Sequence, residues 1–158
     1  MEMAQYLLDT FRYNDYANRK VLEKVLKELP DKTECIRFFS HLVNCQYKWM
    51  ARILHDPKAP GMSWWDPVYA PGDLEKEWNK SLETWISFLE SKTETGLFEE
   101  ATFVGMDGGQ WAAKPKDIAL QLNYHSIHHR AQIQSIIRKQ GLEPEFVDYI
   151  GTVAKKLS

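Results

Sequence analysis

Five histidines occur in the 158 residues, and three of them fall in one short run, His125-Ser126-Ile127-His128-His129. His125 and His129 stand four positions apart. On a helix that spacing places both rings on one face, with Cβ atoms about 5–6 Å apart. Two imidazoles so placed can converge on one cation at about 2.0–2.1 Å each. His128 lies about 100° further round a helix than His129 and does not share that site. A pair of ligands leaves a first-row metal under-held, so a third is wanted from another element. His41 is the best candidate, because the apolar run Ile36, Phe39, Val43, Tyr47 and Met50 sets a core-facing stripe beside it. His55 is a poor candidate, since it sits at the end of the same stretch next to a loop. Three histidines with an open fourth position describe a catalytic rather than a structural zinc-type site. The bland alternative is a pair of histidines satisfied by solvent or by their neighbours. No His-Glu-x-x-His run occurs, so no zincin-type general base is built in.

Other polar residues near this set divide in the same way. Cys45 falls one turn after His41 and is either a soft thiolate ligand or a buried inert thiol. Gln132 and Gln121 flank the site or simply bond between helices. Arg130 is expected to pair with a carboxylate or a neighbouring helix end. Cys35 and Cys45 are ten residues apart. On one helix they would be about 15 Å apart along its axis, beyond the roughly 7 Å a disulfide spans. Free thiols fit a reducing cytoplasm.

These side chains must be positioned by helices. Apolar residues Tyr6, Leu7, Phe11, Ala17, Val21, Leu22, Val25 and Leu29 recur mostly at three- and four-residue steps and predict a helix from about Met3 to Leu29. Pro30 closes it. A second helix is predicted from Asp31, with Asp31 and Glu34 as a capping box, to about His55. Residues 56–72 hold four prolines and two glycines and read as irregular, with Trp64, Trp65 and Tyr69 packed down over something. Trp64 and Trp65 either cover a pocket or anchor the loop. A third helix runs from Asp73, as N-cap, to about Ser91, with Trp78 and Trp85 in the core. Short apolar runs around Asp107-Gly108-Gly109, within 97–113, predict a two-stranded hairpin. The fourth helix spans Pro115 to Gln140, with Gly141 suited to its left-handed cap, and a short helix is expected within 146–154. The expected fold is all-α, a four-helix bundle in one domain over 1–158, with a long crossover and a small β-hairpin excursion before the last helix.

Composition narrows the function classes. Twenty basic against 22 acidic side chains give a net charge of -2, which argues against a nucleic-acid partner. No stretch approaches the roughly 18 apolar residues of a membrane helix. The opening Met1-Glu2-Met3 lacks a basic run followed by an apolar one, so a cytoplasmic location is expected.

The segment His125-Ser-Ile-His-His-Arg-Ala-Gln-Ile133 is similar to the H-x-x-x-H-R-x-Q-hydrophobic signature of the DinB superfamily, the DinB/YfiT-like helical bundles. Phe39-Ser-His-Leu-Val43 followed by Trp49 resembles that family's second-helix histidine with an aromatic two turns on. Weaker likenesses lie in Tyr13-Asn14-Asp15-Tyr16-Ala17-Asn18 and in Gly141 through Asp148-Tyr149-Ile150. The resemblance covers essentially the whole chain. It implies His41, His125 and His129 as ligands of one divalent ion, Ni or Zn first and Fe or Mn as alternatives. It further implies a homodimer acting on a small-molecule substrate. Some members of the family are transferases that join a low-molecular-weight thiol such as bacillithiol, mycothiol or glutathione to electrophiles, or use the thiol as cofactor for an isomerisation. A metal-dependent thiol transferase is therefore the leading expectation. A metal-dependent hydrolase and a non-catalytic metal-binding, stress-associated module are the alternatives. No motif selects the reaction, and no catalytic residue is assigned.

Overall fold

The computed structural model describes residues 2–157. Four long helices carry the fold: α1 (Met3–Glu28), α2 (Thr33–Ile53), α3 (Pro71–Ser91) and, after two shorter pieces, α5 (Pro115–Lys139). The pieces between are α4 (Glu94–Phe98) and an antiparallel hairpin of β1 (Ala101–Val104) and β2 (Gln110–Ala113), with Phe103 opposite Trp111. A last turn, α6 (Tyr149–Val153), follows α5. The fold is thus an all-α bundle with one small hairpin. Helix α1 packs against α3 and α5, and α2 packs against the same two. The consecutive helices α1 and α2 therefore stand at opposite corners.

Two apolar clusters fill the bundle. One gathers Leu7, Phe11, Trp85, Leu89, Leu97, Ile118 and Leu122. The other gathers Val21, Val25, Leu29, Phe39, Leu74, Trp78, Ile133 and Ile137. Both tryptophans expected in the core are there. Trp85 is fully buried, stacks on Phe11 at 5.9 Å between centroids, and its indole N–H donates to the Gln46 carbonyl at 2.9 Å.

Polar side chains are buried as well, and they bond to one another. Arg130, on α5, donates from Nη1 to Asn14 Oδ1 and Asn18 Oδ1, both at 2.9 Å, and from Nη2 to the Tyr13 hydroxyl at 3.3 Å. Asn14 Nδ2 reaches Asn123 Oδ1 at 3.0 Å, and Asn18 Nδ2 reaches Ser126 Oγ at 2.6 Å. This network fixes the rotation of α5 against α1. It corrects the expectation of a carboxylate or helix-end partner for Arg130. Amide and phenol oxygens fill its fork instead, so the buried charge is solvated without an acid.

The loop between α2 and α3 is fastened to one face of α2. Ser40 Oγ accepts from the Tyr69 amide at 3.0 Å, and Asn44 Nδ2 donates to the Pro67 carbonyl at 3.0 Å. The Lys48 ammonium donates to the Met62 carbonyl. A 3-10 turn at Ala59–Gly61 interrupts the stretch expected to be irregular.

Several helix ends differ from expectation. Helix α3 starts at Pro71 with Ala70 as N-cap, and Asp73 lies in its first turn. Proline carries no N–H to satisfy and its φ suits the first position, so it displaces the polar cap. Helix α2 starts at Thr33, and no side chain caps it. Asp31 instead accepts from the Thr33 amide at 3.0 Å, ahead of the helix, so the capping box does not form. Helix α2 ends at Ile53 and α5 at Lys139, each short of the expected limit. Helix α4 was not foreseen; Thr93 caps it by accepting from the Gly96 amide at 3.1 Å. Gly141 takes the left-handed conformation, φ 85°, as expected of the residue after α5. Among the described residues no helix is long and apolar enough to cross a membrane.

Trp85→Ala removes the largest fully buried side chain and is expected to cost about 3–5 kcal/mol of unfolding free energy. Urea unfolding measures it; a loss below about 1 kcal/mol would show that the site collapses freely and that Trp85 does not anchor its cluster.

Candidate metal centre

The histidine on α2 and the i,i+4 pair on α5 meet. The nearest ring nitrogens of His41, His125 and His129 all lie within 4.8 Å of one another, so the three could hold a metal ion. His128 is exposed and outside the set, and so is His55, in the turn just past the end of α2. His41 and His129 are buried and His125 is half-buried.

Tautomers are set by what each ring's other nitrogen touches. His41 Nδ1 donates to the Trp64 carbonyl at 2.7 Å, which leaves Nε2 as the lone-pair side. His129 Nδ1 bonds Gln132 Oε1 at 2.6 Å, one turn on along α5, which does the same for its Nε2. That His129 Nε2 is buried and has no hydrogen-bond partner. The Nε2 atoms of His41 and His125 are 2.8 Å apart. Two lone pairs cannot sit so close unaided, so a proton or a cation must lie between them. An orphaned buried acceptor, two rings held with Nε2 inward and a third touching them make a donor set that fits a divalent cation.

Charge is disfavoured on all three rings. Burial, then the neighbouring His129, His41 and His128, pushes His125 down to about 4. Burial also lowers His41 and His129, opposed by the Trp64 carbonyl and by Gln132 respectively. Neutral imidazole is the ligating form, so metal has little proton competition at neutral pH.

Aromatic rings wall the site. Trp65 stacks on His41 with centroids 3.8 Å apart and 11° between planes. Phe38 stacks on His129 at 5.0 Å. Trp64 and Trp65 thus divide the two expected roles: Trp65 anchors the loop by stacking on His41, while Trp64 gives its carbonyl to His41 and lines a cavity. That cavity, about 210 Å³, is bounded by His41, Cys45, Trp49, Trp64, Gln121, Leu122 and His125. Gln121 is an exposed wall residue of this cavity, and Gln132 is the anchor of His129. Cys45 Sγ lies 3.6 Å from His41 Nε2 and lines the cavity without joining the converging set. Burial pushes its thiol up to about 12, so without a metal it is protonated at neutral pH. The aromatic brace from Trp65 and Phe38 was missed from sequence; only the loop's aromatic content hinted at it.

Fold and site together define a helical bundle with a three-histidine cluster bridging two helices beside a cavity. The chain matches the DinB family model over residues 3–156, and it belongs to that family. No curated protein and no solved structure matches it.

Gln132→Leu cuts the anchor of His129 at an exposed position. Metal affinity is expected to fall about 10–100-fold with the fold intact, read by competition against a chelator; unchanged affinity would mean that Gln132 does not orient the ring. In chelator-treated protein, His125 binds no proton in the native state between its ordinary value of 6.5 and about 4, whereas the unfolded chain does. Stability therefore falls as pH drops through that window. Thermal unfolding midpoints should show a shallower dependence in His125→Gln; identical slopes would contradict the burial of a neutral ring.

Proposed function

We propose that this protein is a metal-dependent transferase that joins a low-molecular-weight thiol to small-molecule electrophiles, with His41, His125 and His129 holding one divalent ion, nickel or zinc. The observation that carries this reading is the convergence of three neutral imidazoles beside an open cavity with no fourth protein ligand in the set. A divalent ion bound by three neutral ligands keeps its full charge and lowers the pKa of a bound thiol or water.

The chain's own residues would do the rest. Trp64 and Gln132 hold His41 and His129 in the ligating tautomer. Trp49, Trp64 and Leu122 give the cavity an apolar wall that suits an apolar electrophile and limits water. Gln121 offers an amide at the cavity edge for orienting a polar group. Cys45 stays a neutral thiol and takes no part as nucleophile. Both cysteines are buried and free, which supports a reducing compartment, the cytoplasm. A homodimer is proposed from membership of the family alone.

Two measurements test this. Elemental analysis of purified protein should find about one ion per chain, and His129→Ala should lose it; full retention would remove the metal reading. Assays pairing low-molecular-weight thiols with a model electrophile should show conjugation that a chelator abolishes and added metal restores. Metal-dependent cleavage of esters or amides without any thiol reaction would replace the transferase reading by hydrolysis. Bound metal with neither activity would leave a non-catalytic metal-binding module.

A further inference from the structure

A second cavity, also about 210 Å³, opens where the end of α2 meets the 3-10 turn and β1. Arg52, His55, Asp56, Pro60, Phe103 and Gln110 are among its walls, and it shares no wall residue with the cavity beside the histidines. Arg52 is only 7% exposed, and its Nε is buried without a hydrogen-bond partner. Its guanidinium carbon lies 4.8 Å from the Trp49 ring centroid, 4.9 Å from that of Trp64 and 5.2 Å from that of Phe103. One turn earlier Lys48, 6% exposed, also lies against this aromatic group, 4.6 Å from the Trp64 centroid.

Two buried cations thus stand four residues apart, and among the described residues neither forms an ion pair with a carboxylate. Lys48 is relieved by the Met62 carbonyl. Asp56, the acid in the cavity wall, accepts from the Lys58 amide at 2.9 Å. Arg52 has no protein partner for its Nε and has aromatic faces against its guanidinium. These hold the guanidinium plane and return part of the lost solvation, but they do not fill its donors. Arg130 gives the contrast: it is equally buried, yet its fork is taken by Asn14, Asn18 and Tyr13. An arginine that completes its bonds inside the protein needs no ligand. One left unfilled at a cavity is built to receive an acceptor.

We propose that this cavity binds the oxyanion of a small molecule, a carboxylate or phosphate group, against Arg52. The planar fork of N–H donors matches either group, and Gln110 and His55 at the walls can add donors to it. The site does not depend on the metal reading, because none of its walls carries one of the converging histidines.

Trp49 and Trp64 lie against the guanidinium and make tryptophan emission the readout. Inorganic phosphate and succinate are titrated separately, with succinamide as the neutral control, into metal-loaded and chelator-treated protein. The expected result is a saturable change with at least one anion, equal in both preparations, and none with succinamide. Whichever anion responds more tightly assigns the chemistry. Arg52→Met, which keeps an apolar stem, should weaken binding at least about tenfold. Arg52→Lys keeps the charge and loses the fork, and it too should bind about tenfold more weakly; it serves as the deciding variant if Arg52→Met fails to fold. No saturable response to either anion, a response confined to metal-loaded protein, or unchanged affinity in Arg52→Lys would overturn the proposal.

Discussion

Three imidazoles packed together, two of them buried, cannot all carry charge, and the rest of this molecule is arranged around that constraint. Burial disfavours the imidazolium on each ring, and nearby cationic groups add to this, opposed by the Trp64 carbonyl at His41 and by Gln132 at His129. At 2.8 Å a proton or a cation must lie between His41 Nε2 and His125 Nε2, and His129 Nε2 has no partner, so the cluster presents a demand for a cation. A single cation could satisfy all three at once. The hydrogen bonds from His41 to a loop carbonyl and from His129 to Gln132 keep that demand directed inward.

Holding rings from two helices at this separation requires that α2 and α5 neither rotate nor slide. The polar network around Arg130 sets the rotation of α5 against α1, on a different face of α5 from the one that meets α2. A one-residue slip would break bonds to Asn14, Asn18 and Tyr13 together, each leaving a buried polar group unpaired. On the other side, the α2–α3 loop is pinned through Ser40, His41, Asn44 and Lys48, residues on one face of α2. The same loop lays Trp65 on His41 and Trp64 along the cavity. One loop therefore positions His41, braces it and shapes the adjoining space.

Much of this was legible in the residues. The 3.6-residue period located the four long helices, because their apolar faces fill the two clusters. The spacing of His125 and His129 dictated a shared face, and the stripe beside His41 pointed it at the interior. What escaped shares a physical cause: it depends on partners distant in sequence. Arg130 was expected to find an acid, but its partners are amides on a helix 112 and 116 residues away. The brace on His41 comes from a loop whose path no periodicity describes. At Asp31 and Asp73 the residue type was right for a cap, yet the helix began elsewhere, since Pro71 and the turn at Asp31 competed for the same backbone.

X-ray absorption spectroscopy of the metal-loaded protein addresses the central claim most directly, since it counts and types the atoms around the ion. The account predicts three imidazole nitrogens at about 2.0–2.1 Å, with the remaining position filled by an exchangeable light atom. In protein freed of low-molecular-weight thiols, a sulfur scatterer at about 2.3 Å, which among the described residues Cys45 is placed to supply, or fewer than three imidazoles, would contradict it.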